Sequence, residues 1–141
     1  MTPYEAQQRK NRIRDAELYG WPFVCALTDE QFSAACNGCG PASWPEERRE
    51  KLTKWLATFA PAFDVHDCRF TFDNDGTREN FDYANDELEK NCILLANQEY
   101  AWYNPLRYVA RHAGHIIAAL CREFGWQSWK EAYNHKKGAQ S

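Results

Sequence analysis

Long hydrophobic runs are absent from this chain, and none approaches the roughly 20 apolar residues that a membrane-spanning helix needs. An excess of positive charge is absent too: 17 Lys and Arg stand against 20 Asp and Glu, for a net charge of −3. That balance, with a pI near 5.8, leaves no electrostatic footprint for nucleic acid. The basic clusters Arg9-Lys10-Asn11-Arg12 and Arg48-Arg49 are answered locally by Asp15, Glu17, Glu46, Glu47 and Glu50, so they read as solvated helix faces. The N-terminus lacks the basic-then-apolar order of a secretory signal. Internal repeats and low-complexity segments are also missing.

What is present is a chain of 141 residues, a length that suits one domain with a real core. Aromatics are abundant, with 6 Trp, 7 Tyr and 8 Phe, enough to fill a compact core or to supply an interfacial surface. The cysteines at 25, 36, 39, 68, 92 and 121 are even in number. Three disulfides and a set of reduced, apolar thiols both remain open.

The patterning is almost wholly helical. A very polar helix is expected over about 4–19. Thr28, with Gln31 at the capping-box position and Leu27 and Phe32 as a hydrophobic staple, opens a short helix that ends in Asn37-Gly38-Cys39-Gly40-Pro41. Ser43 with Glu46 forms a second box, for a helix to about Ala60, and Pro61 breaks or restarts the chain. A further stretch to about Phe72 carries His66. Asp73-Asn74-Asp75-Gly76 is a turn, and Thr77 caps a long helix to about Tyr100. Asn104-Pro105 opens another helix that Gly125 ends; Ser128 and Glu131 start a short last one, and the tail from about His135 is loose. The fold class expected is all-α: one domain, with two antiparallel core helices and flanking helices around them.

Periodicity singles out two polar residues. Phe59, Phe63, His66 and Phe70 recur at i, i+4, i+7 and i+11, and Phe81, Asn85, Leu88, Cys92 and Leu95 follow similar spacing on the next helix. The 73–77 turn would bring the two stripes together, with His66 hydrogen-bonded to Asn85. Asp67 follows His66 directly, about 100° further round the helix. It can therefore face a cation while His66 faces the interior.

The loop Cys36-Asn37-Gly38-Cys39-Gly40, the segment Phe63-Asp64-Val65-His66-Asp67-Cys68-Arg69-Phe70 and the following helix with Asp82, Asn85 and Asp86 resemble the phospholipase A2 superfamily, in particular its small prokaryotic and phage-encoded members. The resemblance covers about residues 34–95. It implies a calcium-dependent hydrolase acting on phospholipid ester bonds. His66 would be the base that activates water and Asn85 its orienting partner. Calcium would be held by Asp67 and by loop oxygens at Asn37, Gly38 and Gly40, and the metal would polarise the ester carbonyl. This sequence departs from the family pattern at Phe63, where a Cys is usual, at Phe70 in place of Tyr, and at Asn85 in place of Asp. Those departures support the alternative of a catalytically inactive relative that binds and blocks a host protein or serves a structural role. The partners implied are a phospholipid or membrane surface in the first case and a host protein in the second. The expected setting is a host cytoplasm or a virion.

Other motifs have plainer readings. Cys36-x-x-Cys39 raises zinc, with Cys68, His66 or Cys92 as further ligands, but there is no second Cys-x-x-Cys. Asp73-Asn74-Asp75-Gly76 would place Thr71 first and Asp82 twelfth in an EF-hand loop, where Asp and Glu are wanted, so a plain turn is the better account. His112 and His115 read as edge residues of the helix whose stripe is Leu106, Val109, Ala113, Ile116, Leu120 and Phe124. Trp126 and Trp129 read as packing, with a membrane-facing or partner-facing surface as the alternative.

Overall fold

The computed structural model describes residues 1–36 and 45–140. Among them it is all-α, without strands: α1 (Pro3–Asp15), α2 (Trp21–Cys25), α3 (Asp29–Ala35), α4 (Glu46–Phe72), α5 (Arg78–Glu99), α6 (Pro105–Phe124) and α7 (Trp126–Gln140). The loop positions Asn37, Gly38 and Gly40, and the expected cap Ser43, lie outside the described residues.

Local chemistry explains most of the boundaries. Thr2 and Glu5 form a capping box on α1, and Thr28 and Gln31 form one on α3. Each side chain satisfies an amide that the first helical turn leaves unpaired. Thr77 accepts from the Asn80 amide at the start of α5, and Asn104 accepts from Leu106 at the start of α6. The 73–76 segment is a plain turn: Asn74 Oδ1 accepts from the Gly76 amide and Asp75 Oδ1 from the Thr77 amide and hydroxyl. Gly76 sits at φ +80°, and a Cβ there would lie 2.6 Å from the Tyr133 ring.

Four expectations need correction. The first helix ends at Asp15, and α2, unsignalled by periodicity, follows from a left-handed Gly20 at φ +87°. Pro61 does not break the chain but lies inside the 27 residues of α4. Proline inside a helix forfeits a hydrogen bond at a cost of roughly 3 kcal/mol, and burial of Phe59, Ala62 and Val65 around it offsets that loss. The buried face of α6 is Ala110, Ala113, Gly114, Ile117, Ala118 and Leu120, which leaves Leu106 and Val109 exposed. Small residues set that face because α5 comes close: a Cβ on Gly114 would stand 2.8 Å from Cys92 Cβ. Finally, α7 starts at Trp126 rather than behind Ser128 and runs on to Gln140.

The long helices α4, α5 and α6 form the body, and α1–α3 pack across α4. Asn91 ties the α1–α2 connection to α5, accepting from the Tyr19 amide at 2.7 Å and donating to the Tyr19 carbonyl at 3.0 Å. Arg69 of α4 meets the buried carboxylate of Glu87 on α5 through two parallel bonds of 3.0 and 3.1 Å. Its guanidinium also lies 4.4 Å from the centre of the Phe23 ring. A small second core of Phe81, Ala84 and Trp129, with Phe70 and Trp126 against it, holds α7 to the α4–α5 pair.

Candidate functional site

The two stripes read from the sequence do meet. His66 Nε2 lies 2.9 Å from Asn85 Oδ1 across the α4–α5 interface. Phe81, Asn85, Leu88, Cys92 and Leu95 are all buried, and Asn85 is fully enclosed. An amide oxygen only accepts, so this bond places the proton of neutral His66 on Nε2 and leaves Nδ1 with a free lone pair. Desolvation holds the imidazole below its ordinary pKa; the Asn85 bond opposes that only partly. Phe70, one turn on, leans over the His66 ring with centroids 6.2 Å apart.

Two buried donors near this pair find no acceptor among the described residues: Asn85 Nδ2 and Trp129 Nε1. Trp129 packs edge-on against Phe70 at 5.0 Å and against Phe81 at 5.6 Å, the aromatic neighbours of His66 and Asn85 along α4 and α5. Trp129 is fully buried and packs in the core, while Trp126 is half-buried against Phe81. Among the exposed aromatic side chains, Trp102 and Tyr103 stand side by side between α5 and α6.

Asp67 points away from His66. The 100° step along α4 turns it toward α1 and α3, where it meets a second acid, Asp64, three residues back on the same face. Arg9 of α1 holds Asp64 through Nε at 3.0 Å and through a second, shorter bond from Nη2. Asp67 has no hydrogen bond or ion pair among the described residues. Burial first, then the Asp64 charge, push its pKa up to about 7, and Arg9 only partly counters them. Cys36, at the C-terminal end of α3, completes the group. Its sulfur and carboxylate oxygens of Asp64 and Asp67 all lie within 4.8 Å of one another. It also donates to the Asp64 carbonyl at 3.5 Å and stands 3.8 Å from Cys68 Sγ. The Cys68 contact first, and then burial, raise the Cys36 thiol far above its ordinary pKa.

Of the residues singled out by sequence, then, His66 and Asn85 are brought together on one face of α4 and Asp67 stands on another; Asn37, Gly38 and Gly40 lie outside the described residues. His112 is exposed, and His115 Nδ1 sits 3.0 Å from Glu89 Oε2, an edge pairing on α6 and α5. Sequence reasoning passed over Asp64, although its i−3 spacing to Asp67 was visible. It passed over Arg9 because no local pattern links residues 55 positions apart. No family profile, curated protein or solved structure matches this chain.

Proposed function

We propose that this domain is a phospholipase A2-like hydrolase in which His66 activates water for attack on a phospholipid ester. The observation that carries the reading is the His66–Asn85 bond, which directs one imidazole nitrogen to the protein and reserves the other for water. His66 is neutral at pH 7, because its pKa is lowered from an already subneutral value, so the base is available without prior deprotonation. On protonation, the imidazolium would meet only the Asn85 carbonyl dipole. That is a weaker counterpart than a carboxylate and makes a slower catalyst.

Asp67 fits a divalent cation. Its carboxylate is partly desolvated, lies beside a second acid, and has no protein donor among the described residues. Calcium held there, with oxygens of Asn37, Gly38 and Gly40, would polarise the ester carbonyl and stabilise the developing oxyanion.

The decisive assay is release of fatty acid from a fluorogenic phospholipid with calcium present, comparing wild type with His66→Gln. The expected loss is on the order of 10²–10⁴-fold, the usual worth of a general base. Equal rates in the two proteins would remove His66 from the chemistry. A wild type without hydrolysis favours the second reading, a silent relative that binds a host protein. Two observations support that alternative: the neutral Asn85 and the absence of a hydroxyl at Phe70. The exposed Trp102 and Tyr103 are then the place to look for the contact.

A further inference from the structure

The face of α4 opposite His66 gathers sulfur as well as oxygen. Cys36 and Cys68 are both buried, and their sulfurs are 3.8 Å apart. A disulfide would bring them to about 2.05 Å. Two thiolates on one tetrahedral zinc, with bonds of about 2.3 Å, span an edge roughly 1.63 bond lengths long, or about 3.8 Å. The observed separation is that of a metal edge, and equally that of two thiols in contact, so sulfur geometry alone does not decide.

Asp67 supplies the second observation. Its oxygen lies within 4.8 Å of Cys36 Sγ, no described residue donates to it, and Arg9, bound to Asp64, offsets its charge only in part. The neighbouring Asp64 differs, since Arg9 neutralises it. A carboxylate without a hydrogen-bond donor beside the Cys36 sulfur, itself in contact with Cys68, suits a cation that accepts both donor types.

We propose that Cys36, Cys68 and Asp67, with Asp64 beside them, bind a thiophilic divalent cation of the zinc class. Oxygen-seeking cations use carboxylates and carbonyls, whereas sulfur selects softer ions. Binding displaces the thiol protons to solvent, so affinity rises with pH. With two thiolates, the Asp67 carboxylate and a dication, the local charge is −1, beside the Arg9–Asp64 pair. One consequence rests on the hydrolytic reading: calcium and a thiophilic ion cannot share Asp67, so the latter would hold hydrolysis off.

Cobalt is the probe, added to the full chain after reduction and removal of metals. Thiolate-to-cobalt charge transfer absorbs in the near ultraviolet, and its intensity counts the sulfur ligands, so the wild type alone can decide. The expected result is a band that saturates at about one equivalent, with zinc displacing the cobalt. Cys36→Ser and Cys68→Ser should each remove much of its intensity. Asp67→Asn should weaken binding by about tenfold or more, and Cys25→Ser should leave the band unchanged. Absence of the band in reduced wild type overturns the proposal, as does a band undiminished in both the Cys36 and Cys68 variants. Hydrolysis is scored separately. A band without hydrolysis upholds the cation site and removes only the enzyme, while hydrolysis without a band does the reverse.

Discussion

Replacing Asp67 with Asn should stabilise the metal-free protein above neutral pH and leave it nearly unchanged near pH 5. The argument starts from the carboxyl, whose pKa is lifted from 3.8 to about 7 by burial and by Asp64. A group that holds its proton more tightly when folded favours the fold at low pH. Its contribution is lost as pH climbs from about 4 through about 7. Each pKa unit is worth about 1.36 kcal/mol, so the full displacement corresponds to roughly 4 kcal/mol. Asp67 is only half-buried, and solvent screening reduces the net cost of its charge to roughly 1–2 kcal/mol. Asparagine has the shape of the protonated acid and never acquires the charge. In thermal melts the variant should therefore match wild type at pH 5 and exceed it by several degrees at pH 8. Millimolar calcium should then invert the order, because it stabilises only the chain that keeps the carboxylate. A difference that stays flat between pH 5 and pH 8, or a variant less stable than wild type at pH 8, would refute the electrostatic reasoning. Equal calcium stabilisation of both proteins would place any calcium away from Asp67.

Two further substitutions probe the helix interfaces. Asn85→Asp should raise the His66 pKa by placing a carboxylate where a neutral amide now accepts the Nε2 proton. An NMR titration of the ring protons checks this, and an unchanged or lower value contradicts the pairing. Gly114→Ala puts a Cβ 2.8 Å from Cys92 Cβ, and should lower stability by about 1–3 kcal/mol, the usual cost of overpacking; a urea melt showing no loss would mean that α5 and α6 separate freely.

What the sequence made legible follows the physics of each element. The stripe from Phe81 to Leu95 was readable because α5 is an unbroken helix whose apolar spacing stays in register from end to end. The His66–Asn85 pair came with it, since two facing stripes joined by a short turn leave little freedom of register. Pro61 misled because its local cost is real and only the surrounding burial of Phe59, Ala62 and Val65 outweighs it. The face of α6 misled for a related reason. Large residues such as Leu106 and Val109 carry the hydrophobic signal, yet close approach to α5 selects Ala110, Gly114 and Ala118. The Cys36–Asp64–Asp67 group was only half visible: the i, i+3 acids lie in one segment, but Cys36 and Arg9 reach them through tertiary packing alone.

Asn85 joins the questions of fold and function. As a fully enclosed amide it gives the α4–α5 interface one acceptor for His66, and its own Nδ2 finds no acceptor among the described residues. An unsatisfied buried donor costs about 1–3 kcal/mol, a penalty that a carboxylate at this position would avoid, since its oxygens donate nothing. The carboxylate would bring a different cost, a charge in a dry interface beside a neutral imidazole, unless His66 takes up a proton to match it. Asparagine thus keeps the interface neutral and His66 unprotonated, at the expense of one unsatisfied amide and of support for the imidazolium. If Asn85→Asp raises both the His66 pKa and the rate of ester hydrolysis, the natural residue is a brake on a working site. If it raises the pKa and no hydrolysis follows, the pair is a packing device and the domain acts by binding.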